Sequence, residues 1–442
     1  MSENSINRRD FVKTAGIAAA SALLSNALPA FGQTAKKRRY AIVGTGHRAT
    51  SMWGVDLANR YKDELEFVGL CDKNAKRAEA ARKLIGVEAP TFTNFEEMLA
   101  RTKPDLLTVT TVDSTHHQFI TKALEKGIDV ITEKPMVTQA EDCQAVLDAE
   151  KKYNRKITVA FNYRYAPKHQ KIKEILMSGE IGNVTSVDFA WYLDTSHGAD
   201  YFRRWHRLKA GGGSLWVHKA THHFDLVNWW LGADPTDVTA FGKLNVYGSN
   251  GPFRFSNCRP CPHKAKCPFY WDMTKDARLM KLYAECEDVD SYTRDGCVFK
   301  EDIDIYDTMS AIVRYSNGAQ MSYSLDASMP IEGYRIAFNG TKGRLEVRDY
   351  ERQPWTEELQ SEIYLMKNFT KKRERIEMPD VKGGHSGGDD RLRDVIFKNA
   401  QVPDILKLPD SRAGAMSCLT GIAARTSIEQ NRPVKINELI KL

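Results

Sequence analysis

Lys134 stands between Glu133 and Pro135, directly after the apolar and β-branched run "VIT" (130–132). Burial disfavours an ammonium, so a lysine where a strand meets a rigid turn is either solvated at the strand end or kept for chemistry. A second set of residues is built for phosphate. Gly44-Thr45-Gly46-His47-Arg48-Ala49 follows the apolar stretch "RRYAIV" and fits G-x-G-x-x-G/A. Gly44 permits a tight turn, Gly46 lets the backbone approach a pyrophosphate, and Ala49 lets the next helix pack on the strand. The N–H groups opening that helix are the phosphate donors. A third set is histidine-rich: His218, Lys219, His222 and His223. Histidine can take a proton from a hydroxyl near neutral pH, and a neighbouring lysine can hold the resulting alkoxide. "GGHSGGDDRLRD" (383–394) adds His385 and Asp389 on a glycine-rich loop, which reads equally well as plain surface.

The elements that must position these residues are legible from periodicity. Strand-like runs at 65–72, 105–111, 129–134 and 156–165 alternate with helical ones such as 116–127 and 140–153. Short links between them predict a parallel, doubly wound sheet, on which ligands bind at the carboxyl ends of the strands. Gly44, Gly46, Asp72, Thr111, Lys134 and Asn162 all fall at such ends. That shared position moves Lys134 from solvated strand end toward a cofactor crevice. Asp72 follows Ala49 by 23 residues (72 minus 49), the place of a carboxylate that accepts from a ribose diol. It favours NAD over NADP; Lys73 and Arg77 pull the other way.

From about residue 165 the pattern changes to longer alternating strands at 184–194, 237–248, 309–327 and 334–349, with "SNG" and "GTKG" as hairpin turns. With the helix 221–232, this half predicts an α+β domain built on a large, mainly antiparallel sheet. The expected divisions are 36–164 for the dinucleotide domain and 165–442 for the second domain, with a cysteine-rich insertion at 256–300.

Residues 1–32 carry Arg8-Arg9, then the small-residue apolar run "TAGIAAASALLSNALPA", then Ala30-Phe31-Gly32. This order predicts a twin-arginine signal peptide and a periplasmic or secreted protein. No stable membrane insertion is expected. The +7 charge is dispersed, and its two short basic runs lack interleaved aromatics, so nucleic acid is not an expected partner.

The stretches "GTGHRA", "TVDSTHHQFITKALEKGIDVITEKP", "FNYRYAP", "GGGSLWVHKATHHFDLVNWWLG" and "GTKGRLE" resemble the Gfo/Idh/MocA family, the relatives of glucose–fructose oxidoreductase and inositol dehydrogenase. The resemblance covers nearly all of the chain after residue 32. It implies that Lys134 contacts substrate hydroxyl and nicotinamide, with Pro135 shaping the turn. It places Asp113 and His116 on the nicotinamide side, and Arg164 in the arginine position after the fifth strand. His47, Arg48, Glu133 and Asn162 join the implied cofactor contacts. His222 matches the acid/base histidine, but its expected aspartate partner is replaced by His218, so Lys134, His222 and His218 form the expected catalytic set. Tyr163, Trp205, His223 and His385 complete the expected substrate contacts. A homo-oligomer, dimer or tetramer, is implied through the open face of the second sheet.

Five of the eight cysteines, Cys258, Cys261, Cys267, Cys286 and Cys297, lie within the insertion. Export favours disulfides over zinc or iron–sulfur, and no metal is expected. Cys71, Cys143 and Cys418 sit in apolar elements and read as core thiols.

These readings converge on an exported oxidoreductase acting on a ring hydroxyl of a sugar or glycoside. Outside the cytoplasm no NAD pool exists, so tightly bound cofactor is expected, and the hydride must leave by another route. One outcome is net oxidation, such as 3-keto-glycoside formation. Another is hydrolysis: transient oxidation, elimination, water addition and re-reduction. "YLDTSHGADYF" (192–202) offers Tyr192, His197 or Tyr201 for that second route. A non-catalytic sugar-binding protein is the alternative from another class.

Overall fold

The computed structural model describes residues 36–355, 361–378, 381, 384–398 and 400–441; the expected signal peptide lies outside them. Residues Arg38–Leu442 form one unit. Its first layer is a six-stranded, wholly parallel sheet in the order β3-β2-β1-β4-β5-β6. The strands are β1 (Arg38–Val43), β2 (Leu65–Cys71), β3 (Thr91–Phe92), β4 (Leu106–Val109), β5 (Asp129–Thr132) and β6 (Ile157–Val159). β4 is buried at all four positions, as a strand covered on both faces must be. The order reverses between β1 and β4, so the crevice opens beyond their carboxyl ends.

The helices are punctuated as their sequences dictate. α1 begins as a π-helix, Ala49–Val55, and continues through Asp56–Arg60. α2 (Ala75–Ile85) is capped by the Asn74 side chain, which accepts from the Arg77 N–H, and ends at Gly86 with φ of 78°. α3 (His116–Glu125) and α4 (Ala140–Tyr153) match their predicted spans closely.

The second layer is a nine-stranded sheet in the order β14-β13-β12-β11-β7-β10-β9-β8-β15, with β13 (Ser361–Lys367) and β14 (Glu374–Ile376) at one edge and β15 (Val434–Lys435) at the other. It is antiparallel except where β7 (Val184–Asp194) pairs with β10 (Gln320–Met329). β8 (Pro235–Lys243), β9 (Thr308–Tyr315), β11 (Glu332–Gly340) and β12 (Gly343–Arg352) supply most of its width. β9 alternates exposed and buried residues without a break, so only one face is covered. The covering helices include α5 (His197–Arg203), α6 (Ala220–Leu231) and, later in the chain, α8 (Ser411–Gln430). The other face is a shallow cavity of about 750 Å³ lined by Asp188, Tyr192, Phe241 and Ile312. Phe241 is 69% exposed there.

Between β8 and β9 runs the cysteine-rich insertion. It carries α7 (Ala277–Leu282) and the turn to Asp290 onto the first layer. All eight cysteines are free. This corrects the disulfide expectation: four of the five insertion cysteines line one common void instead of pairing.

Candidate active site

Lys134 lies just past β5, and its peptide bond to Pro135 is cis. Its ammonium reaches across to the second domain, donating to the His218 carbonyl at 3.1 Å and lying 3.5 Å from His218 Nε2. The other ring nitrogen of His218, Nδ1, is 2.5 Å from the Asp113 carboxylate. Asp113 sits at the carboxyl end of β4, and His218 on the short helical turn Leu215–His218 before α6. One proton on Nδ1 therefore leaves the Nε2 lone pair facing the lysine. Burial pushes the His218 imidazole well below its ordinary range, and the Lys134 charge pushes the same way. Burial raises Asp113 against the opposing charge of Lys134. The pair thus shares one proton across a short contact. Burial also lowers Lys134 to about 8, with Asp113 and Glu133 pulling it back up.

His206 was not foreseen. Its ring centroid is 4.0 Å from that of His218 and 3.5 Å from that of Trp205, which places Trp205 at the edge of the cluster. Asp113, His206 and His218 present ligand atoms within 4.8 Å of one another. The ammonium of Lys134 beside them disfavours a cation at that point.

His222, one turn further along, stacks on Tyr163 at 4.4 Å, and its buried Nδ1 has no partner. His206 Nδ1 and Asn162 Oδ1 are likewise buried without partners. An unpaired buried polar atom costs about 1–3 kcal/mol, so three in one crevice mark a place shaped for groups outside the chain. Asn162 donates to His385 Nδ1 at 2.9 Å and to Asp389, bringing the glycine-rich loop over the same crevice. Lys219, already singled out beside His218 in the sequence, is buried with its ammonium 4.9 Å from the Trp191 ring centroid. Tyr201 donates to or accepts from His197 Nε2 at 2.9 Å, while His197 Nδ1 meets Glu332 at 2.8 Å. The Tyr201 ring centroid lies 5.4 Å from that of His218.

Several expected contacts are turned elsewhere. His116 is held by the carbonyls of Pro135 at 2.8 Å and Thr111 at 3.2 Å, so it braces the turn instead of facing a ligand. Glu133 accepts from Arg48 at 2.6 Å and Trp53 at 2.7 Å. It therefore positions Arg48 and does not itself face a ligand. Arg164 makes a bidentate pair with Asp225 of α6 at 2.8 and 2.6 Å, which locks the two domains together. His223 is buried, stacked on Trp191 at 3.9 Å and bonded through Nδ1 to Tyr323, while its Nε2 has no partner. Tyr192 faces the opposite side of the second sheet. Thr111 accepts from Thr115 at 2.8 Å.

At the glycine loop, Gly44 has φ of 84°, and a Cβ there would meet the Thr111 nitrogen at 2.6 Å. Above Gly46 stands Tyr283 of the insertion: its hydroxyl accepts the His47 N–H at 2.9 Å, and a Cβ on Gly46 would meet it at 3.0 Å. Burial and the nearby guanidinium groups of Arg278, Arg294 and Arg204 push His47 down to about 4. Asp72 departs from expectation. Thr45 donates to its Oδ2 through N–H at 2.8 Å and Oγ1 at 3.2 Å, while Asn74 N–H and Arg77 donate to Oδ1 at 2.9 and 3.3 Å. Its acceptor sites are filled by the chain, so it offers a ribose diol none in this arrangement. Arg77 in turn is held by Asp290 and the Leu282 carbonyl. The loop still fits a dinucleotide: the backbone is bare at Gly46, positive groups surround it, and the Tyr283 proton is free to meet an anionic oxygen.

Two family profiles cover the chain. The NAD-binding Rossmann domain of the Gfo/Idh/MocA oxidoreductase family matches residues 38–161, and that family's C-terminal alpha/beta domain matches 173–436. The chain belongs to the Gfo/Idh/MocA oxidoreductase family. It is an NAD(P)-dependent oxidoreductase, which displaces the alternative of a silent sugar binder. A Bacillus subtilis protein named as an oxidoreductase, YteT, is 41% identical over 425 residues, spanning 90% of this chain and 98% of its own. The D-glucoside 3-dehydrogenase of Escherichia coli is 28% identical over 228 residues, 50% of this chain and 62% of its own. Among solved structures, the WlbA dehydrogenase of Bordetella pertussis, crystallised with NADH and UDP-GlcNAcA, shares the fold at a TM-score of 0.62 and 18% identity, covering 92% of this chain and all of that one.

Proposed function

We propose that this enzyme oxidises a ring hydroxyl of a sugar or glycoside, using NAD that stays bound between turnovers. The observation that carries the reading is the Asp113–His218–Lys134 cluster beside the unpartnered Nδ1 of His222. Bound NAD supplies the hydride acceptor. His218 Nε2 takes the hydroxyl proton, Asp113 holds the tautomer that keeps Nε2 free, and the Lys134 ammonium stabilises the developing alkoxide. His222 and Asn162 offer their open atoms to neighbouring hydroxyls. The relative named as a D-glucoside 3-dehydrogenase supports a sugar as substrate. NAD is favoured over NADP because Arg77, the nearest candidate for a 2′-phosphate, is committed to Asp290 and Leu282. The Arg8-Arg9 leader supports export by the twin-arginine route, and the half-exposed apolar rim of the open sheet supports a homo-oligomer.

A second reading rests on Tyr201–His197–Glu332. This relay beside His218 would move a proton at the carbon next to the new ketone, so the same site would cleave a glycoside by oxidation, elimination, hydration and re-reduction. Purified protein is incubated with a panel of glycosides without added NAD. A ketosugar supports net oxidation, and free sugar in its place supports the hydrolytic cycle. Neither product from any glycoside, with bound cofactor present, would sink both.

A further inference from the structure

The reaction proposed above uses Lys134 and leaves Lys219 idle. Lys219 directly follows His218, where the turn Leu215–His218 meets α6, and it is only 3% exposed. An ammonium carries three donors. That of Lys219 has no hydrogen-bond acceptor and no paired carboxylate among the described residues. What surrounds it is aromatic: the Trp191 ring centroid lies at 4.9 Å and that of Tyr163 at 5.9 Å. Ring faces attract a cation but leave its protons without an oxygen.

The acidic side chains around it are committed elsewhere. Glu332 accepts from the Asp194 N–H at 2.8 Å through one oxygen and meets His197 Nδ1 at 2.8 Å through the other. Glu351 is drawn toward Lys168 at 4.0 Å. Burial lowers the Lys219 ammonium, and the charges of Glu332 and Glu351 restore it only in part. A methionine would fill the same space without burying an ion. A lysine there calls for an anion that the chain does not supply.

The groups next to it are open as well. The Tyr163 hydroxyl has no hydrogen bond among the described residues. Its ring stacks on Trp191 of β7 at 6.0 Å and on His222 at 4.4 Å, and the buried Nδ1 of His222 also lacks a partner. The phosphates of a dinucleotide belong at the glycine loop under Tyr283, in the first domain, and are not the missing anion. The anion must arrive with the substrate.

We propose that Lys219 and the Tyr163 hydroxyl form a subsite for a carboxylate carried by the sugar, so that the substrate is a sugar acid or its glycoside. The inference rests on the sugar-oxidising reading above and narrows it. One ammonium and one hydroxyl match the two oxygens of a carboxylate. A phosphate monoester, with three acceptor oxygens and more charge, calls for more donors. His222 feels both lysines: burial lowers it first, and the charges of Lys134 and Lys219 add to that. Reacting hydroxyl and carboxylate are thus held in one crevice.

The test is calorimetric binding to the purified protein saturated with NAD, with turnover measured alongside. The probes are methyl glycosides of glucuronic, galacturonic and mannuronic acids. Each is compared with its neutral parent sugar and with its uronamide, which keeps the shape and removes the charge. At least one acid is expected to bind about 10²-fold tighter than its parent and its amide. K219M brings acid and parent to the same affinity, K219R restores part of the margin, and K209M, at a lysine paired with Glu429, keeps all of it. Should K219M fail to fold, K219Q takes its place, and the comparison of acid with amide on the unaltered protein needs no variant. Equal binding of acid, amide and parent, a K219M that keeps the margin, or a sugar phosphate bound tighter than any of the acids would each overturn the proposal. An acid that binds through Lys219 and is not oxidised leaves the subsite standing and removes the oxidation. A neutral glycoside oxidised with no preference for its acid does the reverse.

Discussion

The two ends of the crevice treat their polar groups in opposite ways. Around Asp113, Lys134 and His218, three buried atoms on His206, His222 and Asn162 are left without partners. Around Asp72, every acceptor is filled by Thr45, Asn74 and Arg77, and two of these donors are themselves held by a segment more than two hundred residues away: Asn74 donates to the Cys286 carbonyl at 2.8 Å, and Arg77 to Asp290. The first end has kept its places for molecules that arrive and leave. At the second, the chain has closed over itself. The retention of NAD proposed above, with substrate exchanging at the other end, would use that asymmetry.

The largest effect is expected at Lys134. K134A is expected to lower kcat by about 10³-fold while the dinucleotide content measured after acid precipitation is unchanged. Near-normal turnover would reduce Lys134 to a strand-end lysine. D113N should cost about 10²-fold in kcat, because an amide that donates to Nδ1 forces the proton onto Nε2, where the base must be free. An unchanged kcat in D113N would show that His218 is not the proton acceptor.

A pH profile sharpens the same end. The folded Lys134 titrates near 8, and the ammonium is the form that holds the alkoxide. His218, lowered by burial, is already unprotonated at neutral pH. Turnover is therefore flat through neutrality and falls as pH rises through about 8, approaching tenfold per unit. A rise through the same region would make the neutral amine the working base. The smallest effect belongs to the closed end. Y283F removes one hydrogen bond from His47, worth about 1 kcal/mol, so cofactor should leave roughly fivefold faster with kcat intact. Dissociation is followed by dialysis against an NAD-binding scavenger. An exported enzyme that keeps its cofactor for about a day needs a Kd of about 10 pM, so even this loss would be visible.

Much of the open end is legible in sequence, because its residues sit in patterned places. Lys134 follows one strand, Asp113 opens the turn after another, and His218 stands four residues before His222. His206 escaped because Trp205-His206 lies in an irregular segment with no period to expose it. His197 and Tyr201 stand one helical turn apart, but only the fold shows which of them meets Glu332. The closed end was legible in position and misread in state. Asp72 does end the second strand, yet nothing local to it reveals that Thr45, Asn74 and Arg77 take all its lone pairs. Arg164 and Glu133 failed in the same way: each has the right address and a stronger partner, Asp225 for one and Arg48 for the other.

The Asp290 pair with Arg77 also sets a clock. Residues 38–161 complete the parallel sheet's strands early in synthesis, but the pairing between residues 77 and 290 spans 213 positions. At 5–20 residues per second, the ribosome delivers that partner roughly 10–40 s later. The Val159 N–H waits longer still, for the Pro409 carbonyl at 2.9 Å. Through that interval the glycine loop of the nascent first domain stands without Tyr283 over it. Loading before closure is then an ordering imposed by chain length, and refolding from the full-length chain, where the clasp is present from the start, should trap far less cofactor than synthesis does.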